Sequence, residues 1–162
     1  MTTRTIVTHP DPSLKRKTKP VDAAEFGTDE LMNTIYDLFE TMTNQAYMIA
    51  IAGPQIGVHK QILALILREP TVMINPVIKS KSGRQLLEEG CVSVPGVFAQ
   101  IPRPDTIVIE YSDEYGNKHD CELHGVSAAA VLHGIDLLQG RTILDTMRFW
   151  DKLKLLFKQK RG

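Results

Sequence analysis

Cysteine is scarce in this chain: Cys91 and Cys121 are the only two in 162 residues. That excludes a small secreted scaffold stapled by disulfides, and in a reducing compartment each thiol is expected to be a core residue or a metal ligand. Long apolar runs are missing as well. The run "ILALIL" at 62–67 falls far short of the ~20 residues that a membrane-spanning helix requires. The opening "MTTRTIVTHPDPSLKRKTKP" has no apolar core of the secretory type, so the expected location is the cytoplasm, with no membrane partner. Charge of one sign is not in excess: 19 Lys and Arg stand against 19 Asp and Glu, which gives no global reason to expect DNA as a partner. A hydrophobic fraction of 43% and a charged fraction of 23% are those of an ordinary globular protein, and the length suits one domain over 1–162.

No repeat or polar linker divides the chain. Prolines at 10, 12 and 20 mark an extended or loosely turned lead-in. "TDELMNTIYDLFETMTNQ" predicts an amphipathic helix: Thr28 is the N-cap, Asp29 and Glu30 occupy the first turn, and Leu31, Ile35, Leu38, Phe39 and Met42 recur at helical spacing. From 60 to 123 the period changes. "QILALIL", "TVMINPVI", "DTIVIEYSD" and "KHDCEL" read as short antiparallel strands in a meander, separated by Pro- and Gly-rich turns. A second helix is expected from Ser127 to Leu138, stopped by Gly140, and a third over "LDTMRFWDKLKLLFKQ". Helix, strands, then helices make an α+β fold with helices packed on antiparallel sheet.

Three segments carry candidate chemistry. "IAIAGPQIGV" at 49–58 sets Gln55 after a Gly-Pro turn; by itself this is a tight loop beneath a strand. "EEGCVSVPG" at 88–96 places Cys91 after a glycine, where a cysteine is ordinarily a small buried hydrophobe. "VLHGIDLLQG" at 131–140 has the frame of a zinc-protease helix, H-E-x-x-H, in which two histidines on one face share an ion and the glutamate activates water. Here the frame reads His133, Gly134, Ile135, Asp136, Leu137, so one ligand position remains and the base is gone.

In this order and at these separations the segments resemble the three signatures of the peptide deformylases, which remove the formyl group from the initiator methionine of new bacterial or organellar polypeptides. The resemblance runs from "THPDPSLKRKTKPV" through "PQIGV", "INPVI" and "EEGCVSVPG" to the helix at 127–140 and "GRTILD". It implies a peptide deformylase-like fold: antiparallel sheets around a central helix that carries the former H-E-x-x-H frame, with a basic amphipathic C-terminal helix at 148–160. The family signatures are G-x-G-x-A-A-x-Q, E-G-C-x-S and Q-H-E-x-D-H. In the family, iron, zinc or nickel is held by the cysteine and both histidines, the glutamate is the general base, and the glutamine amide and the backbone N–H after the cysteine stabilise the oxyanion.

Carried over residue by residue, the resemblance gives Cys91 and His133 as metal positions and Gln55 as the oxyanion donor, with the Val92 main chain beside it. Leu137 stands where the third ligand belongs and Gly134 where the base belongs. Met48 and Ala50 replace the two first-signature glycines, so the substrate-binding lip at Ala50 is expected to be reshaped. Glu89 matches the E-G-C glutamate, a support for the ligands, and Asp136 and Arg103 match a pair expected as a structural salt bridge. His119 and His124 precede the helix, and their spacing does not bring them to its face.

Two ligands where a catalytic zinc site uses three predict weak binding of Fe2+ or Zn2+ at best, and no cofactor as the working expectation. Loss of a positioned general base removes a further ~10²- to 10⁴-fold. Apolar Leu137 suggests a closed, dry centre. The expected function is therefore a peptide deformylase-like protein with little or no activity. Two other readings stay open: a divergent active metal-dependent deformylase with a ligand from elsewhere, and a non-enzymatic binding protein. In the tail "RFWDKLKLLFKQKRG", Trp150, Leu153 and Phe157 are expected to form a stripe with Leu156 beside it. The ordinary reading is a surface helix docked on the domain with solvated lysines; some family members dock near the ribosomal exit through a basic C-terminal helix, so the resemblance adds the ribosome and nascent formyl-Met peptides as candidate partners.

Overall fold

The computed structural model describes residues 3–46 and 48–159. Its first long helix, α1 (Asp29–Thr43), begins where the sequence places it, with the Thr28 hydroxyl accepting from the Leu31 N–H. Seven strands follow in chain order: β1 (Ala50–Ala52), β2 (Ile62–Ile66), β3 (Pro70–Ser82), β4 (Gln85–Cys91), β5 (Val94–Arg103), β6 (Thr106–Ser112) and β7 (Lys118–His124). Helix α2 (Gly125–Leu138), a short α3 (Ile143–Thr146) and α4 (Phe149–Gln159) complete the described chain.

The strands do not form one meander. Five make an antiparallel sheet in the order β1-β2-β3-β6-β7, while β4 and β5 leave it as a separate two-stranded ribbon. The ribbon departs because β3 runs on through Ser82 with register shifts on the way, and β6 then takes the place beside β3. Asn75, with a positive φ of 51°, sits at the first shift, and its side chain exchanges two 2.8 Å hydrogen bonds with the backbone of Val21.

β2 explains why "ILALI" is apolar throughout. Alternate residues of a strand face opposite sides of the sheet, and both sides of this one are covered. Ile62 and Ala64 pack with Leu31, Ile35, Leu38 and Met42 of α1. Leu63 and Leu65 join Val131, Leu132, Ile135 and Leu137 of α2. Helix α2 is thus sandwiched, and nine of its residues are buried, as befits a helix apolar nearly all round. It starts two residues before the expected Ser127 and ends at Leu138, with Gly140 in the left-handed region at φ 73°. Thr18 closes that end: both its N–H and its hydroxyl donate to the Leu138 carbonyl.

The expected third helix is two. Chain direction changes at Met147, whose ψ of 148° is extended, and Met147 is buried with Val94, Ile101 and Ile143. The expected apolar stripe is corrected too: Leu155 docks on this cluster, whereas Trp150 is 69% exposed and meets Phe149 edge to face. Phe157 and Leu156, named for the same stripe, lie outside the side chains described here, as do the basic Lys160 and Arg161. No helix among the described residues is long and apolar enough to cross a membrane.

Thr28→Ala removes the side-chain acceptor at the start of α1 and is expected to cost about 1 kcal/mol, read as a lower urea midpoint with an unchanged slope.

Candidate functional site

The site forms where three elements meet. Gln55 lies in a single helical turn, Gly53–Ile56, directly after β1. Cys91 ends β4 opposite Val94, with Val92 and Ser93 forming the turn between them. His133 is in the middle of α2. The extended N-terminal segment stitches the first two together: Val7 donates to the Gln55 carbonyl at 2.8 Å and His9 to the Ser93 carbonyl at 2.7 Å.

At the centre is a carboxylate. Glu89 receives the Arg103 guanidinium through two hydrogen bonds, of 2.7 and 2.8 Å, and pairs with His133 Nδ1 at 3.0 Å. Arg103 in turn places Nη1 2.6 Å from Asp136, which also pairs with Arg141. Burial works against the charges of Glu89 and Arg103, but the bidentate pairing prevails: the carboxyl lies below its ordinary range and the guanidinium above. Burial alone would also lower the pKa of His133. Hydrogen bonds to Cys91 and Glu89 overcome it and push the imidazole up to about 9.

Gln55 is buried, and its amide is oriented without ambiguity. The Ala52 N–H can only donate, so the oxygen Oε1 must face it, at 2.9 Å. Nε2 is thereby turned to Ser93 Oγ at 3.3 Å and Cys91 Sγ at 3.9 Å. Ser93, fully buried, was not singled out from the sequence; the serine of the E-G-C-x-S signature was the available signal.

The lost positions are filled by core. Leu137 is 1% exposed and packs with Leu63 and Leu132, with Cys91 against the same cluster. Gly134 faces β2, where a Cβ would lie 2.7 Å from Leu63 Cδ2. The glycine therefore accommodates a larger neighbour, a relation between residues 71 positions apart that no local pattern reveals. Among the described residues no group of three His, Cys, Asp or Glu side chains is placed to hold a metal ion. Glu89 is committed to Arg103 and His133; His119 bonds Asp113, and His124 at the end of β7 lies beside Glu122 of the same strand and Thr106 of β6. The donor set does not fit the family's ion.

A cleft of about 700 Å³ opens over Cys91 and His133, within the usual range for ligand pockets. Met48 and Ala50 form its lip, Ala129 and Val126 of α2 one wall, and Phe98 of β5 another; Val92 also lines it. The lining is predominantly apolar, and its polar groups include Gln55, Glu89, Cys91 and His133.

An E-G-C hairpin facing a buried helix across an apolar cleft is the arrangement of a deformylase-type α+β domain. The family model of polypeptide deformylase matches residues 3–152. Peptide deformylase 2 of Xanthomonas axonopodis pv. citri is 38% identical over 144 residues, covering 86% of this chain and 84% of that protein. The crystal structure of the peptide deformylase from Thermus thermophilus superposes with a TM-score of 0.88 at 31% identity, covering 98% of this chain and 93% of that one. A class I type b peptide deformylase from Acinetobacter baumannii bound to Met-Ala-Ser gives 0.85 at 25% identity, covering 90% and 99%. The chain belongs to the polypeptide deformylase family.

Gly134→Ala should gain about 1 kcal/mol from helix propensity and lose roughly 1–3 from overpacking against Leu63. The expected net is destabilising in the native background and stabilising in a Leu63→Ala background, measured by urea unfolding of the four proteins.

The raised pKa of His133 stabilises the fold fully below the unfolded value of 6.5, and this contribution is lost as pH rises through about 9. Between those limits the unfolding free energy of chelator-treated protein should decline by a few kcal/mol, and His133→Gln should flatten that decline.

Proposed function

We propose that this chain binds the N-terminus of a peptide with an apolar first residue and has little or no metal-dependent deformylase activity. The observation that carries the reading is the packing of Leu63, Gly134 and Leu137, which occupies the positions of base and third ligand with close-packed hydrocarbon. A catalytic zinc site needs three protein ligands and room for water, and here the third donor would have to displace core. The cleft itself supports peptide binding, since its lining is largely apolar with Gln55, Cys91 and His133 among its polar groups, and a family structure holds Met-Ala-Ser.

The second reading is a divergent active enzyme that removes formyl from the N-terminal methionine of nascent chains, using a metal. It is favoured by the names of the relatives: at 34–38% identity they are called peptide deformylases. Cytoplasmic work on new polypeptides suits either reading, and the exposed Phe149 and Trp150 at the start of α4 would suit contact with a ribosome.

Metal analysis of protein purified without chelator, together with formate release from formyl-Met-Ala-Ser with and without added Fe2+ or Zn2+, separates the two. The first reading expects sub-stoichiometric metal and no stimulation of release by the ion. Stoichiometric metal with metal-stimulated turnover establishes the second.

A further inference from the structure

We propose that this chain has a second ligand site, separate from the cleft, which takes a small molecule carrying a phosphate monoester on an apolar body. Lys81 of β3 and Arg141, between α2 and α3, hold the phosphate, while Leu132 and Ile135 of α2 meet the body. The inference is independent of the peptide-binding reading, because the two cavities share no lining residue.

The second cavity holds about 410 Å³, enough for a small ligand. It opens where β3, β5, α2 and α3 come together. Part of its lining is hydrocarbon, from Ile78, Ile101, Leu132 and Ile135. The remainder is largely polar and carries three cations, Lys81, Arg103 and Arg141.

The charges around this cavity do not cancel. Asp136, 6% exposed, is fully engaged, since its two oxygens accept from Arg103 and Arg141. Arg103 is engaged as well, with Glu89 taking its Nε and Nη2. Arg141 keeps donors in reserve. Of its guanidinium nitrogens only Nη2 is bonded, to Asp136 and Gln139, and the side chain is half exposed. The Lys81 side chain has no partner among the described residues, whereas Lys79 on the same strand pairs with Glu110. The remaining carboxylate of the lining, Asp145, has Lys15, and Lys152 of α4 donates to the Asp145 main-chain carbonyl at 3.4 Å.

Once each carboxylate has its cation, Lys81 and Lys152 are left over. That surplus matches the nearly double negative charge of a phosphate monoester better than the single charge of a carboxylate. A guanidinium with unused N–H groups near an ammonium is also well suited to phosphate oxygens, to which charge-assisted hydrogen bonds are strong. The lining of the cleft over Cys91 contains no lysine or arginine among the described residues, so the two cavities select different ligands.

The test titrates the full chain by calorimetry at about pH 8, where the monoester is dianionic, with phenyl phosphate, benzoate, phenol and inorganic phosphate as probes. The inference expects saturable one-to-one binding of phenyl phosphate, competition by inorganic phosphate, binding of benzoate about tenfold weaker, and none of phenol. Lys81→Gln should weaken phenyl phosphate about tenfold, and because Lys81 bonds nothing else its urea midpoint should not move. Arg141→Gln should weaken binding at least as much; where loss of the Asp136 contact unfolds that variant, Lys81→Gln decides. Lys79→Gln should leave binding unchanged, as should excess Met-Ala-Ser. Absence of saturable binding, indifference to Lys81→Gln, benzoate as tight as phenyl phosphate, or displacement by Met-Ala-Ser would each overturn the site. None of these outcomes bears on whether the cleft binds peptide, which Met-Ala-Ser titration of the native protein reads separately.

Discussion

The Glu89 carboxylate is the point on which the site depends. It belongs to β4, the Arg103 that grips it to β5, and the His133 that it orients to α2, so one side chain fastens the ribbon to the central helix. Such a buried ion pair is poor evidence of net stability, because desolvation offsets much of the attraction, yet removing one partner leaves an uncompensated charge that costs several kcal/mol. The chain Arg141–Asp136–Arg103–Glu89–His133 is therefore better understood as fixing geometry than as adding strength. Gly134 and Leu137, at the positions where the family signature has a glutamate and a histidine, lie on the same helix as its two members His133 and Asp136.

The replacements are coupled through packing. An imidazole and a carboxylate in the middle of α2 require polar company, and an apolar neighbour on β2 would leave them unsatisfied. With leucine at 137 and no side chain at 134, Leu63 packs against α2 in the buried cluster between sheet and helix. The packing stops at that layer. On the other side of His133 the cleft persists, because its walls belong to the ribbon and to the first turns of α2, which the exchange does not touch.

Much of this was legible from the chain. The cap and periodicity of α1 are local features, and the structure places them where the pattern does. The family and fold were carried by three short segments whose spacing is specific. The rest was hidden for physical reasons. Strand runs specify that residues pair, not with which partner, so the separation of β4 and β5 from the main sheet could not be read from alternation. Met147 looks like any helical residue until the apolar cluster beneath it draws it inward and breaks the expected helix. The cleft beside His133 has no local signature, since one buried residue at 137 says nothing of the surface two turns away. Contacts such as Gly134 with Leu63, or Gln55 with Ser93, join residues distant in sequence and have no periodic signature.

The N-terminal segment has a consequence of its own. Val7 and His9 tether the loop bearing Gln55 and the turn after Cys91 through main-chain hydrogen bonds alone, without any side chain. Pulling on that end, by a bulky fusion or by proteolytic trimming, would slacken the amide and the thiol together, and would reach α1 as well, since Arg4 is bonded to Asp37 and Thr41 there.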